Sequence, residues 1–184
     1  GLSVGILDAI TAQEHAKYID STNTETFQAV EPFANSLVLR LKQDLKDGKM
    51  IVGGFFTNKQ QLLNTNYLKS SFLSKANVMG IDFEYALPDP AWVVSGYTSN
   101  STLLGTEKII SEIQKNSTHY FQRPDDEITL DTTKNQLNGT SSELSLTKIS
   151  GKNIKGSFTY RQISPGYDIN ELGYIRSANT KQLK

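Results

Sequence analysis

The chain has 184 residues, with Lys plus Arg and Asp plus Glu at 19 each, no cysteine, and a mean hydropathy of -0.40. That length suits one domain with a sizeable core. Balanced charge argues against a nucleic-acid surface, which carries a basic excess, and the absence of thiols excludes disulfides and cysteine-based metal sites.

Residues 2–11 form the first expected strand. It begins at once in Gly1-Leu2-Ser3-Val4-Gly5-Ile6-Leu7, without the basic start and apolar core of a signal peptide, so a processed or internal piece of a longer protein is expected. A polar loop of about fifteen residues around 13–27 follows. Residues 35–44 alternate cleanly, with Leu37, Leu39 and Leu41 on one face and Val38, Arg40 and Lys42 on the other. Little more than Asp47, Gly48 and Lys49 leads into a strand at 49–57, where Gly53-Gly54 marks a bulge or a close backbone approach.

After a long stretch at 58–75, residues 78–85 set Met79, Ile81, Phe83 and Tyr85 against Gly80, Asp82 and Glu84. The tight corner Leu87-Pro88-Asp89-Pro90 introduces a strand at 91–104. The longest connection, 106–138, then holds Ile109, Ile110 and Ile113 at helical spacing. A short amphipathic helix or turn over 107–114 is expected, lying over a barrel mouth, plugging its lumen or capping a core edge. A strand at 140–149, the corner Ser150-Gly151-Lys152-Asn153, and a strand at 154–161 follow, the last opposing Ile154, Gly156, Phe158 and Tyr160 to Lys155, Ser157, Thr159 and Arg161. Residues 164–170 lead to an eighth strand at 171–178.

Short turns and long loops thus alternate strictly between the strands. That is the signature of an up-and-down transmembrane barrel, with turns at one membrane face and loops at the other. The absence of any run near 18 apolar residues excludes a membrane helix but not a membrane strand, which shows lipid only every second side chain. The expected fold is therefore all-β: an antiparallel up-and-down transmembrane β-barrel, or a contiguous portion of a larger one. Alternation alone also fits a soluble β-sandwich with one wet face. Tyr85, Trp92, Tyr160 and Tyr174 suit an interfacial girdle and a strand core equally.

Catalytic chemistry has little to stand on. His15 and His119 lie in loops without ligand spacing, and no nucleophile elbow, phosphate loop or zinc helix motif is present. Asp125-Asp126-Glu127 lacks the ligand spacing of a calcium loop. No enzyme, cofactor or metal is expected. Asp82 and Glu84 share a face as paired carboxylates would; in a barrel that face is the lumen, where Arg40, Lys42, Lys155 and Arg161 are expected to join them in a mixed-charge network.

Val30-Glu31-Pro32-Phe33-Ala34-Asn35 running into Leu39-Arg40-Leu41-Lys42-Gln43-Asp44, then Tyr120-Phe121-Gln122-Arg123-Pro124-Asp125, then Glu171-Leu172-Gly173-Tyr174-Ile175-Arg176-Ser177-Ala178 are more specific. With the start 4–12 and Gly53-Gly54-Phe55-Phe56-Thr57, they resemble the barrel region of the DUF5916 family of Bacteroidota envelope proteins. The resemblance implies an outer-membrane barrel preceded by a carbohydrate-binding family 9-like domain, of which this chain is a middle portion. It brings no catalytic residues. The expected role is a pore, an uptake component or a surface-assembly platform, with outer-membrane lipid, other envelope proteins or glycans as partners; the alternative is a soluble carbohydrate-binding sandwich, and a glycan hydrolase stands third. The 106–138 loop, with its Tyr120 to Asp125 motif, is the expected functional loop.

Overall fold

Period-two alternation carries further along the chain than its polar stretches suggest. The structure, a computed structural model, describes residues 1–88, 91–124, 128–151 and 155–184. In chain order it contains β1 (Leu2–Thr11), β2 (Glu14–Ile19), β3 (Glu25–Glu31), β4 (Phe33–Leu45), β5 (Met50–Leu62), α1 (Asn66–Ser71), β6 (Lys75–Ala86), β7 (Trp92–Leu104), α2 (Glu107–Lys115), β8 (Gln136–Lys148), β9 (Gly156–Ile163) and β10 (Thr180–Leu183). The fold is all-β and antiparallel. Eight strands form one meander in the order β1-β4-β5-β6-β7-β8-β9-β10, and β2-β3 make a separate hairpin. Among the described residues no ladder joins β1 to β10, so the sheet is open.

The three short connections, β4 to β5, β6 to β7 and β8 to β9, lie at one end of this sheet. The four long ones lie at the other. The β4–β5 turn places Lys46, Asp47 and Gly48 at positive φ and is closed by the Gly48 amide donating to the Asp44 carboxylate at 2.9 Å. The corners expected at 87–90 and 150–153 fall at short connections, although Asp89, Pro90, Lys152 and Asn153 lie outside the described residues, as do Ile154 and the acidic run Asp125 to Glu127.

Two expectations need correction. The stretch 13–27 is not a plain loop, because residues 14–31 pair as the β2–β3 hairpin. Its turn is tied by the Asp20 carboxylate, which accepts from the Thr22 hydroxyl at 2.6 Å, the Thr22 amide at 2.8 Å and the Thr24 amide at 3.0 Å. The Thr22 hydroxyl, then the Thr24 and Thr22 amides, hold the Asp20 carboxyl below the usual carboxylate range.

The second correction is larger: residues 171–178 are not a strand, and the eighth strand of the sheet is β10. The connection 164–179 instead lies as a strap across one face of the sheet. Side chains rather than a ladder satisfy its main chain, with Asp168 accepting from the Asn170 amide at 2.7 Å and Asn170 from the Ile175 amide at 2.8 Å.

The register gives each face its residues. Lys42, Gly53, Asp82, Tyr97, Glu143, Arg161 and Gln182 stand in one row, and two residues along stand Arg40, Phe55, Gly80, Ser99, Ser141 and Ile163; this is face A. Face B carries Leu39, Phe56 and Met79 in one row, Leu41 and Ile81 in the next, and Tyr85, Val94, Leu146 and Phe158 in the row nearest the turns. Many of the apolar side chains on this face are open, with Ile81 at 65%, Phe158 at 56% and Ile6, which pairs with Leu39, at 69% exposure, while Leu39, Phe56, Tyr85 and Val94 are half-buried.

Both faces change character toward the loop end. There face B turns polar, in Asn58, Asn77, Thr102 and Asn138 and then Gln60, Lys75 and Gln136, while face A becomes apolar and buried in Ala76, Val78, Leu103 and Leu137. The change on face B does not follow one row. The continuous apolar set reaches Leu37 on β4, Phe56 on β5 and Met79 on β6, but only Val94 on β7, Leu144 on β8, Tyr160 on β9 and Leu183 on β10, while Phe33, Leu62 and Leu104 stand apart beyond the polar rows. The row of Leu37 crosses β8 at Asn138, six residues short of Leu144. At about 3.4 Å per residue the boundary descends about 20 Å, all of it by β8, and taken over the six strand spacings from β4 to β10, about 29 Å, the mean slant is about 35° to the rows.

Candidate functional site on face A

At the turn end of face A the charged residues meet. Arg40 on β4 reaches across β5 to Asp82 on β6 in a two-pronged ion pair, with Nη2 donating to Oδ1 at 2.8 Å and Nη1 to Oδ2. Gly53 on β5 makes the bridge possible, since a Cβ there would sit 2.7 Å from Arg40 Nη2 and 2.8 Å from the Asp82 carboxylate oxygens. This is the close approach that its place inside a strand signals. Arg161 on β9 donates from Nε to Glu143 on β8 at 2.7 Å.

Of the six residues expected in a charge network, five share this face: Arg40, Lys42, Asp82, Glu84 and Arg161. Lys42 and Glu84 stand exposed beside the Arg40–Asp82 pair. Lys155 is exposed ahead of β9, outside the sheet. Glu143 was missed by sequence reasoning, and only the β8–β9 register, which sets it opposite Arg161, identifies it.

At the loop end, α2 and the strap cover face A. The helix starts at Thr106, whose hydroxyl accepts from the Ile109 amide, and buries Ile109 and Ile110. With Leu73, Ala76, Leu103 and Leu137 these form the main apolar cluster, and Ile113 and Phe121 pack on it. The fully buried Gln114 fixes the long connection by donating to the Asp131 carbonyl at 2.8 Å and accepting from its amide at 2.9 Å. Within the 120–125 motif, Phe121 packs inward and Arg123 is half-buried. Tyr120, at φ 44°, and Gln122 and Pro124 are exposed; Asp125 lies outside the described residues.

Four contacts stand out among those that anchor the strap. Tyr167 Oη meets Ser99 Oγ at 2.7 Å, the Asp168 amide donates to Ser101 Oγ at 2.9 Å, and Glu171 pairs with Lys59 on β5 at 2.6 Å. The fourth anchor is His119, which is 1% exposed and places Nδ1 2.7 Å from the Pro165 carbonyl and Nε2 2.7 Å from Asp168 Oδ2. His119 is thus a satisfied structural histidine, whereas His15 lies exposed on β2. The strap also passes so close over β8 that a Cβ at Gly139 would collide with the Tyr167 main chain, and one at Gly166 with the Asn138 carbonyl. Burial pushes the Tyr167 hydroxyl above its usual pKa, and its bond to Ser99 works the other way.

Tyr85 and Trp92 sit on face B at the turn end, each beneath a lysine: Lys46 lies 4.9 Å from the Tyr85 ring centre and Lys148 5.5 Å from that of Trp92. Tyr174, read with them as a girdle aromatic, stands instead on the strap. No group of three or more metal-ligating side chains exists among the described residues, and no helix there is long and apolar enough to cross a membrane.

Compared with protein families, the chain matches the one described as Domain of unknown function (DUF5916) over residues 1–184. The chain belongs to that family. No curated protein and no solved structure matches it.

Proposed function

We propose that this chain is a stretch of the wall of a bacterial outer-membrane β-barrel, with face B toward lipid and face A toward the lumen, and that it acts without catalysis as a pore, uptake component or surface-assembly platform. The slanted apolar boundary on face B carries this reading. Strands in membrane barrels tilt about 35–45°, so a flat hydrocarbon slab must cut their register rows at that angle, and a slant of about 35° is what the apolar set makes. A soluble sheet has no plane to obey. A soluble sandwich would also cover the open apolar set of face B with its second layer, whereas α2 and the strap pack only on the loop-end half of face A.

Tyr85 and Trp92 with their lysines suit the membrane–water boundary at the turn end. The interior of an eight-stranded barrel is just wide enough for side chains, and face A already carries the strap and α2. The ring therefore needs strands beyond β1 and β10, whose outer edges would have to be paired in lipid. The long loops belong to the extracellular side, where glycans or other envelope proteins are the partners. Bacteroidota origin and an upstream carbohydrate-binding domain are part of the same proposal.

The test is extraction and reconstitution of the full-length protein. Retention in the envelope until detergent is added, and insertion into lipid vesicles with protease protection of the strands, are expected. Release as a monomer in aqueous buffer alone would overturn the reading and favour the soluble carbohydrate-binding sandwich.

A further inference from the structure

A cleft of about 360 Å³ opens on face A where the strap crosses β7 to β10. Its floor includes Tyr97, Arg161 and Gln182, and its roof Tyr167, Tyr174 and Arg176. The strap presents the roof from a rigid base. Ile175 and Ala178 are buried, the Ile175 amide is held by Asn170, and Glu171 is tied to Lys59, yet Tyr174 between them is 79% exposed. Among the described residues no hydrogen bond or ring contact engages that ring.

Arg176 is likewise exposed and has no ion pair among the described residues, and Arg161 commits Nε to Glu143 while its terminal nitrogens have no described partner. Thr180 Oγ1, also in the cleft lining, is buried without a hydrogen-bond partner. Two guanidinium edges against one carboxylate leave the cleft cationic, and three tyrosine rings give it flat apolar surface bearing hydroxyls.

We propose that this cleft binds a saccharide carrying carboxylates, a uronate-type oligosaccharide, with Arg176 taking a carboxylate and Tyr174 lying against a sugar face. A guanidinium grips a carboxylate by two parallel hydrogen bonds, and an exposed ring beside it selects a ligand with an apolar flank over a bare anion. The inference goes beyond the wall role and does not depend on what face B meets, because the cleft opens on face A.

The test is titration of full-length protein in detergent with a trimer of galacturonate, a neutral galactose trimer and acetate, followed by calorimetry. The acidic trimer should bind at least about tenfold tighter than either control. Arg176→Gln should weaken it about tenfold or more, Tyr174→Ala should weaken it several-fold, and Lys181→Gln, on the opposite sheet face, should leave it unchanged. Equal affinity for the neutral trimer, no saturable binding of the acidic one, or an equal loss in Lys181→Gln would overturn the assignment.

Discussion

The turn-end and loop-end halves of the sheet share the same strands yet bury opposite faces. Near the turns, β6 shows Ile81 and Phe83 outward on face B and holds Asp82 in an ion pair on face A. A few residues earlier the same strand shows Asn77 on face B and buries Ala76 and Val78 on face A beneath the strap and α2. One half leaves apolar side chains open on face B and pairs charges on face A, and the other carries a packed layer on face A. The strands run through both, so what changes is the surroundings and not the backbone.

The comparison breaks most severely if the layer over the loop end is lifted. Gly139→Val would drive a branched side chain into the Tyr167 main chain, an overpacking that no rotamer change relieves, at a cost upwards of about 3 kcal/mol. Protease sensitivity of 164–179 should rise while the turn-end strands keep their protection. A variant with the strap still protected would mean that the two halves are not separately built.

Charge scanning on face B sharpens the contrast. Ile81→Lys should cost about 2 to 4 kcal/mol if its row lies near the bilayer midplane, whereas Gln136→Lys, exposed on the same face of the loop-end half, should stay within about 0.5 kcal/mol as exposed surface positions do. Refolding into lipid vesicles at graded urea measures both. Equal tolerance at the two sites would remove the membrane from the account.

The turn-end half was the legible one. Its alternation puts apolar and charged residues on opposite faces, so Leu39, Met79 and Phe83 could be grouped, and Arg40 with Asp82, before any register was known. In the loop-end half, Asn58, Lys59, Gln60 and Gln61 continue β5 but are polar on both faces, and the expected strand stopped at Thr57. The helix α2 kept its period because its isoleucines pack on a core. The strap was misread because Leu172, Tyr174 and Arg176 imitate strand spacing, while the contacts that shape it join residues far apart in the chain, such as His119 with Asp168 and Lys59 with Glu171. Local pattern carries no trace of such pairs.

A milder perturbation of the turn-end half is removal of the bridge over Gly53. Arg40 and Asp82 are each about a third exposed, at 37% and 30%, so solvent screens much of their attraction. The two-pronged geometry retains a coupling on the order of 1 kcal/mol, to be read from the double-mutant cycle of Arg40→Gln and Asp82→Asn. Coupling near zero would make the pair a solvent-screened contact with no part in setting the register.

The gentlest probe is alkaline pH, which reaches the loop-end half through Tyr167. Its phenol is 6% exposed and touches the Ser99 hydroxyl, and burial raises its pKa in the fold above the unfolded value of about 10. Because the folded-state pKa is the higher one, the neutral phenol binds its proton more tightly in the fold. The stability so gained is complete below about pH 10 and is lost as pH climbs through the folded value. The strap should therefore loosen on alkalinisation, seen as late ionisation of one tyrosine by its ultraviolet absorbance together with faster cleavage within 164–179. Tyr167→Phe should abolish both changes while leaving the strap in place at neutral pH, since it loses one hydroxyl contact and keeps the buried ring. Loosening of the variant at the same pH as the parent would assign the transition to another group.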